Sequence, residues 1–119
     1  MTTTVAGAAA ALWQPVQVAR HGLTITVVGK EVIAVFVAGP LNASTAPLLA
    51  RTLERLLRQR FERLALDLAG VTRVDRRGIA VVLEASRQAS AAGRELAIRS
   101  PSSEVANLLE AVAGEASEA

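Results

Sequence analysis

The chain has no cysteine, no tyrosine, one tryptophan and one histidine among its 119 residues. Without cysteine there is neither a disulfide framework nor a thiolate metal site, and a single histidine is too few for a structural zinc. The same scarcity excludes a credible Ser–His–Asp set. His21 stands beside Gly22 in an expected hairpin turn, where an exposed loop histidine is the simple reading. A glycine-rich phosphate loop of the G-x-x-x-x-G-K-S/T kind is missing. Asp67, inside a strand pattern, and Asp75, in a loop, are too isolated to read as an acid–base pair. No catalytic residue, cofactor or metal site is assigned, and a binding module rather than an enzyme is expected.

Long apolar runs are also lacking. The stretch from Val5 to Trp13 is far below the roughly 18 residues of a membrane span, and no basic segment precedes it as in a secretion signal. Residues 1–14 are expected to form a mobile tail on a cytoplasmic protein with no membrane insertion. Nor is there an excess of one charge. Thirteen Lys and Arg face 11 Asp and Glu, for a net +2. The pI of 10.4 overstates basicity, because little titrates between the carboxylates and the basic groups. A nucleic-acid partner would need a concentrated basic patch, so none is assigned.

What is present is aliphatic. Half the chain (51%) is hydrophobic but only 3% is aromatic, so one domain with a core of Val, Leu, Ile and Ala is expected. Val16-Gln17-Val18 and Leu23–Val28 alternate as half-buried strand, and Gly29-Lys30 is a turn. Glu31–Gly39 is almost wholly apolar, which predicts a central strand covered on both faces and paired antiparallel with the strand before it. Gly39–Pro47 breaks the pattern. Ser44 or Thr45 can cap the helix that follows, where Leu49, Leu53, Leu56, Leu57 and Phe61 recur at helical spacing. Arg51, Glu54, Arg55 and Arg58 take its other side, as a solvated face or a partner surface.

Leu64–Leu68 reads as a short buried strand, parallel to its neighbour. After it, Asp75 suits a helix N-cap, whereas Arg76 and Arg77 oppose the positive end of the helix dipole. That helix is expected to end at Ala92 before Gly93. Glu95–Arg99 is a strand, and Ser102 with Glu104 opens a last helix that Gly114 ends. The predicted fold is α/β, in the order β-β-α-β-α-β-α. It is a mixed sheet of four to five strands, an antiparallel hairpin followed by parallel strands, with helices packed on it. The domain spans residues 15–113, and residues 114–119 form a small acidic tail.

Two segments carry a family resemblance. Gly39-Pro40-Leu41-Asn42-Ala43-Ser44-Thr45-Ala46-Pro47-Leu48 resembles the G-x-L-D-x-x-S/T-A-x-x-L segment of the STAS domain, the fold of bacterial anti-sigma factor antagonists. Leu66-Asp67-Leu68-Ala69-Gly70-Val71-Thr72-Arg73-Val74-Asp75-Arg76-Arg77-Gly78 is similar to that family's L-D-L-S-x-V-x-x-I/V/M-D-S-S/T-G signature. Gly93-Arg94-Glu95-Leu96 and Val105–Leu109 fall in register. The resemblance implies a transcription regulator that binds an anti-sigma factor, a kinase of the GHKL ATPase type, and so frees a sigma factor. It further implies that the kinase phosphorylates the hydroxyl directly after the loop aspartate.

That position is Arg76, which has no hydroxyl. Arg77 replaces the second small residue, Asn42 stands where Asp is usual, and Pro40 where Glu is common. Gly39, Ala46, Asp75 and Gly78 persist, so the fold is expected intact and the phosphoserine switch lost. The partner-binding candidates are Asn42, Ser44, Thr45, Arg51, Arg73, Asp75, Arg76, Arg77 and Gly78. The two arginines have three readings: solvated side chains, contacts to an acidic patch on a protein, or a clamp for a small anion or nucleotide phosphate. Thr72 is a weak alternative phosphoacceptor. The second partner to consider is the ATPase of a lipid-transport ABC system, on which some small STAS subunits dock. A monomer or weak dimer is expected.

Overall fold

The computed structural model describes residues 16–99 and 103–118. Strands β1 (Val16–Arg20) and β2 (Leu23–Val28) form a hairpin through a two-residue turn. His21 and Gly22 both take positive φ there, 55° and 87°. Such turns match the right-handed twist of the flanking strands. β3 (Val32–Leu41) runs antiparallel to β2, and α1 (Ala46–Leu57) then carries the chain to β4 (Arg63–Val74), parallel to β3. α2 (Arg76–Ala91) leads to β5 (Glu95–Arg99), parallel to β4, and α3 (Ser103–Glu118) follows. The sheet order is β1-β2-β3-β4-β5. Val16–Arg20 is thus a strand of its own, which makes the sheet five-stranded.

One face of the sheet and the helices share a single core. Leu23 and Ile25, Ile33, Val35 and Val37, and Leu64, Leu66 and Leu68 meet Leu49, Leu53, Ile79, Val82 and Val105. Each fully buried aliphatic side chain contributes about 1.5–3 kcal/mol of transfer free energy. The expectation that β3 is covered on both faces is corrected. Phe36 remains 46% and Val32 57% exposed, on the face without helices. The apolar run hid a two-sided strand, because Val32, Ala34, Phe36 and Ala38 interleave with the buried set.

β4 is also longer than the sequence pattern suggests. It continues past Leu68 to Val74, because register shifts between Phe36 and Ala38 and between Gly39 and Pro40 keep it paired with β3. Most of the expected loop is therefore strand. At the opposite end of the sheet, the Arg94 guanidinium donates to the Leu57 carbonyl at 3.0 Å and to the Gln59 carbonyl. It also lies 4.7 Å from the centre of the Phe61 ring. A cation thus meets carbonyls at the C-terminal end of α1, where the helix dipole favours it.

The expectation that Gly114 ends the last helix is corrected, since the backbone of α3 stays helical through Gly114 to Glu118. An interior glycine costs only about 1 kcal/mol relative to alanine, and the neighbouring residues favour helix. The proposed cap at Ser102 and the tail of residues 1–14 lie outside the described residues. No described helix is long and apolar enough to cross a membrane.

Candidate functional site

The site is built where the ends of β3 and β4 hand over to α1 and α2. Gly39 sits at φ 108°, and a Cβ there would collide with the Gly22 carbonyl oxygen. Beyond it the chain turns on Asn42, whose Oδ1 accepts from the backbone N–H of Ser44 at 2.9 Å and of Thr45 at 3.2 Å. The Asn42 carbonyl accepts from the N–H of Thr45 at 3.1 Å and of Ala46 at 2.7 Å. Thr45 closes the turn from inside. Its Oγ1 accepts from Asn42 N–H at 2.9 Å and donates to the Pro40 carbonyl at 2.8 Å.

Of the two cap candidates, Ser44 and Thr45, it is Thr45 that holds the N-cap position of α1, but its side chain caps no helical N–H. The hydroxyl is engaged in the loop. At 1% exposure, Thr45 shapes the loop and presents nothing outward.

The second half of the site is the start of α2. Its N-cap is Asp75, as predicted, with Oδ1 accepting from Gly78 N–H at 3.0 Å. The Asp75 N–H donates to the Leu41 carbonyl at 3.1 Å, and Pro40 and Leu41 pair with Arg73 and Val74. Gly78 is buried against Leu41, and a Cβ on it would stand 2.5 Å from the Leu41 oxygen. The two helix starts are therefore laid side by side through Leu41. That contact explains why glycine is needed at the third helical position.

Of the nine predicted contact residues, Thr45 and Gly78 are interior, and Asn42 is partly covered and spends its side chain on the loop. Ser44, Arg73, Asp75, Arg76 and Arg77 are exposed, and they come from the Ser44 turn, the end of β4 and the start of α2, which meet at Leu41. Arg51 is exposed further along α1. Neither helix carries an acid in its first turn, and Asp75 caps α2 beside Arg76 and Arg77. The result is a cationic surface on a firmly hydrogen-bonded base.

No group of three or more His, Cys, Asp or Glu able to hold a metal occurs among the described residues. A shallow cleft of about 200 Å³ runs between α1 and α2 over Leu53, Leu57, Val81 and Ala85, with Glu54 and Glu84 at its lips. Glu84 is held below its ordinary pKa by hydrogen bonds from Arg87 and Gln88, so its carboxylate is already partnered. What sequence reasoning missed was the part played by Leu41 and the Pro40 carbonyl. The carbonyls act whatever the residue type, and the packing of the Leu41 side chain on Gly78 joins positions too far apart in sequence to show in a local pattern.

A mixed sheet whose central parallel strands end in two linked helix starts defines a single α/β module. The chain belongs to the STAS domain family, whose model matches residues 24–115. No curated protein matches the sequence.

Solved structures show the same fold. The anti-sigma factor antagonist SpoIIAA in its unphosphorylated form superposes with a TM-score of 0.62 at 15% identity, over 74% of this chain and 81% of that one. The phosphorylated form of SpoIIAA, described as a Bacillus cell fate determinant, gives the same TM-score and identity over 74% of this chain and 80% of that one. SLC26A9 gives a TM-score of 0.64 at 16% identity, over 75% of this chain but only 17% of that protein.

Proposed function

We propose that the protein is an anti-sigma factor antagonist-like binding module. In this reading it engages an anti-sigma kinase of the GHKL type through the Ser44 loop and the start of α2, and it is not switched by phosphorylation at the usual position. The observation that carries the reading is Arg76 itself. It is exposed on a helix start otherwise built as the family builds it, with Asp75 capping and Gly78 packed on Leu41. Arginine forks pair well with carboxylates and are enriched among interface hot spots, so an acidic patch on the partner suits this surface. A phosphate would add about −1.5 to −2 charges at the centre of such an interface. Arginine cannot receive one.

The test is incubation with candidate anti-sigma kinases and ATP, followed by mapping of phosphate. Binding without phosphate in residues 72–78 supports the reading, and phosphate on Thr72 would overturn it. Arg76→Ser should create a substrate for the same kinase.

A second reading has the module dock on the ATPase of a lipid-transport ABC system. The likeness to part of a solute carrier, reported for murine SLC26A9 as an anion transporter, supports a transport setting for this fold. Affinity capture separates the two: a GHKL-type kinase or a transporter ATPase.

A further inference from the structure

The face of the sheet without helices has a pattern that the proposed partner site does not use. Register places its outward residues in level rows across β3, β4 and β5. Val32, Arg63 and Glu95 make one row, and Ala34, Ala65 and Ala97 the next. Phe36, Asp67 and Arg99 make the third. The middle row is all alanine. The two outer rows carry the exposed large apolar residues Val32 and Phe36 on β3, then charges of opposite sign in opposite order. Reading β4 then β5, one row is plus–minus and the other minus–plus. Arg63 and Glu95 approach to 3.9 Å, and both are well exposed.

We propose that this face is the interface of a homodimer, with a two-fold axis running across the strands along the alanine row. Such an axis reverses the order of the rows in the second copy. Phe36 of one copy then meets Val32 of the other, Arg63 meets Asp67, and Glu95 meets Arg99. The alanines face one another in the middle. Every charge finds its opposite and every large apolar side chain finds an apolar partner. Parallel faces of two sheets pack about 10 Å apart with their side chains interdigitated. Alternating charges sum to zero, so the face suits a copy of itself better than a strongly acidic or basic partner. The described helices lie on the other side, so the Ser44 loop and the start of α2 stay uncovered in the dimer.

Sedimentation velocity of the full chain over a range of concentrations tests this, together with Phe36→Asp. The expected result is a concentration-dependent dimer in the wild type. Phe36→Asp should weaken it by at least about 100-fold, since the change strikes both symmetric Phe36–Val32 contacts at once. Phe36 is substantially exposed, so the variant should keep the wild-type circular dichroism spectrum. The chain has no cysteine, so Ala65→Cys is a clean reporter of the axis. A short bis-maleimide should join two Ala65→Cys chains and leave Ser86→Cys, on α2, uncoupled. A wild type that stays monomeric at every concentration would overturn the proposal, as it would if residues 1–15 or another protein covers the face. So would a dimer indifferent to Phe36→Asp, or one in which Ala65→Cys does not couple.

Discussion

The starts of α1 and α2 lie against each other and solve the same problem in opposite ways. Both must satisfy free N–H groups near the positive end of a helix. At α1 the solution is neutral and turned inward. Asn42 and Thr45 bond to the backbone on both sides of the turn, and Thr45 is out of reach of solvent. At α2 the solution is a single acid, Asp75, with cations exposed around it. The first arrangement holds shape. The second leaves Arg77 exposed in the first turn, at some cost in helix stability.

The largest effect should come from breaking the contact that joins the two. Gly78→Val places a branched side chain where even a Cβ has no room beside Leu41. It should cost about 3 kcal/mol or more, or prevent folding, read by chemical denaturation. A native-like midpoint would mean the two starts are not locked together. Thr45→Val keeps the volume but strips hydrogen bonds from the Asn42 N–H and the Pro40 carbonyl. A loss of about 1–3 kcal/mol is expected, because those backbone groups lose their partner in a part-buried loop.

Asp75→Ala removes the cap of α2 and should cost about 0.5–2 kcal/mol. At equal stability loss, only the Asp75 variant should also weaken partner binding, since Thr45 presents nothing outward. The smallest effect carries the opposite sign. Arg77→Glu replaces a cation by an anion in the first turn of α2 and should stabilise by about 0.3–1 kcal/mol at low ionic strength, less in salt. The same change should weaken binding to an acidic partner. A variant that gains stability while losing partner would show that the cations are kept for recognition.

Much of this architecture was legible along the chain. Helical spacing of Leu49, Leu53 and Leu56 found α1, and the Asp75 cap and the β5 segment Glu95–Arg99 were read in place. The reading failed where apolar residues fill both faces of a strand. Ala34 and Phe36 mask the alternation of β3, and only the position of the helices shows which face is covered. It also failed where pairing overrides local pattern, as in β4. Residues 69–74 look like loop by composition but are held in the sheet by β3.

The sequence by itself determined that two arginines, Arg76 and Arg77, directly follow Asp75, because chemical identity at a position needs no coordinates. It determined the family as well, since glycine, aspartate and small residues at fixed offsets record local backbone demands. The tertiary structure alone decided that Thr45 is interior and Arg77 exterior, that Gly78 answers to Leu41, and that one face of the sheet carries no helix among the described residues. These depend on which elements pack together, and contacts between residues far apart in sequence leave no periodicity to read.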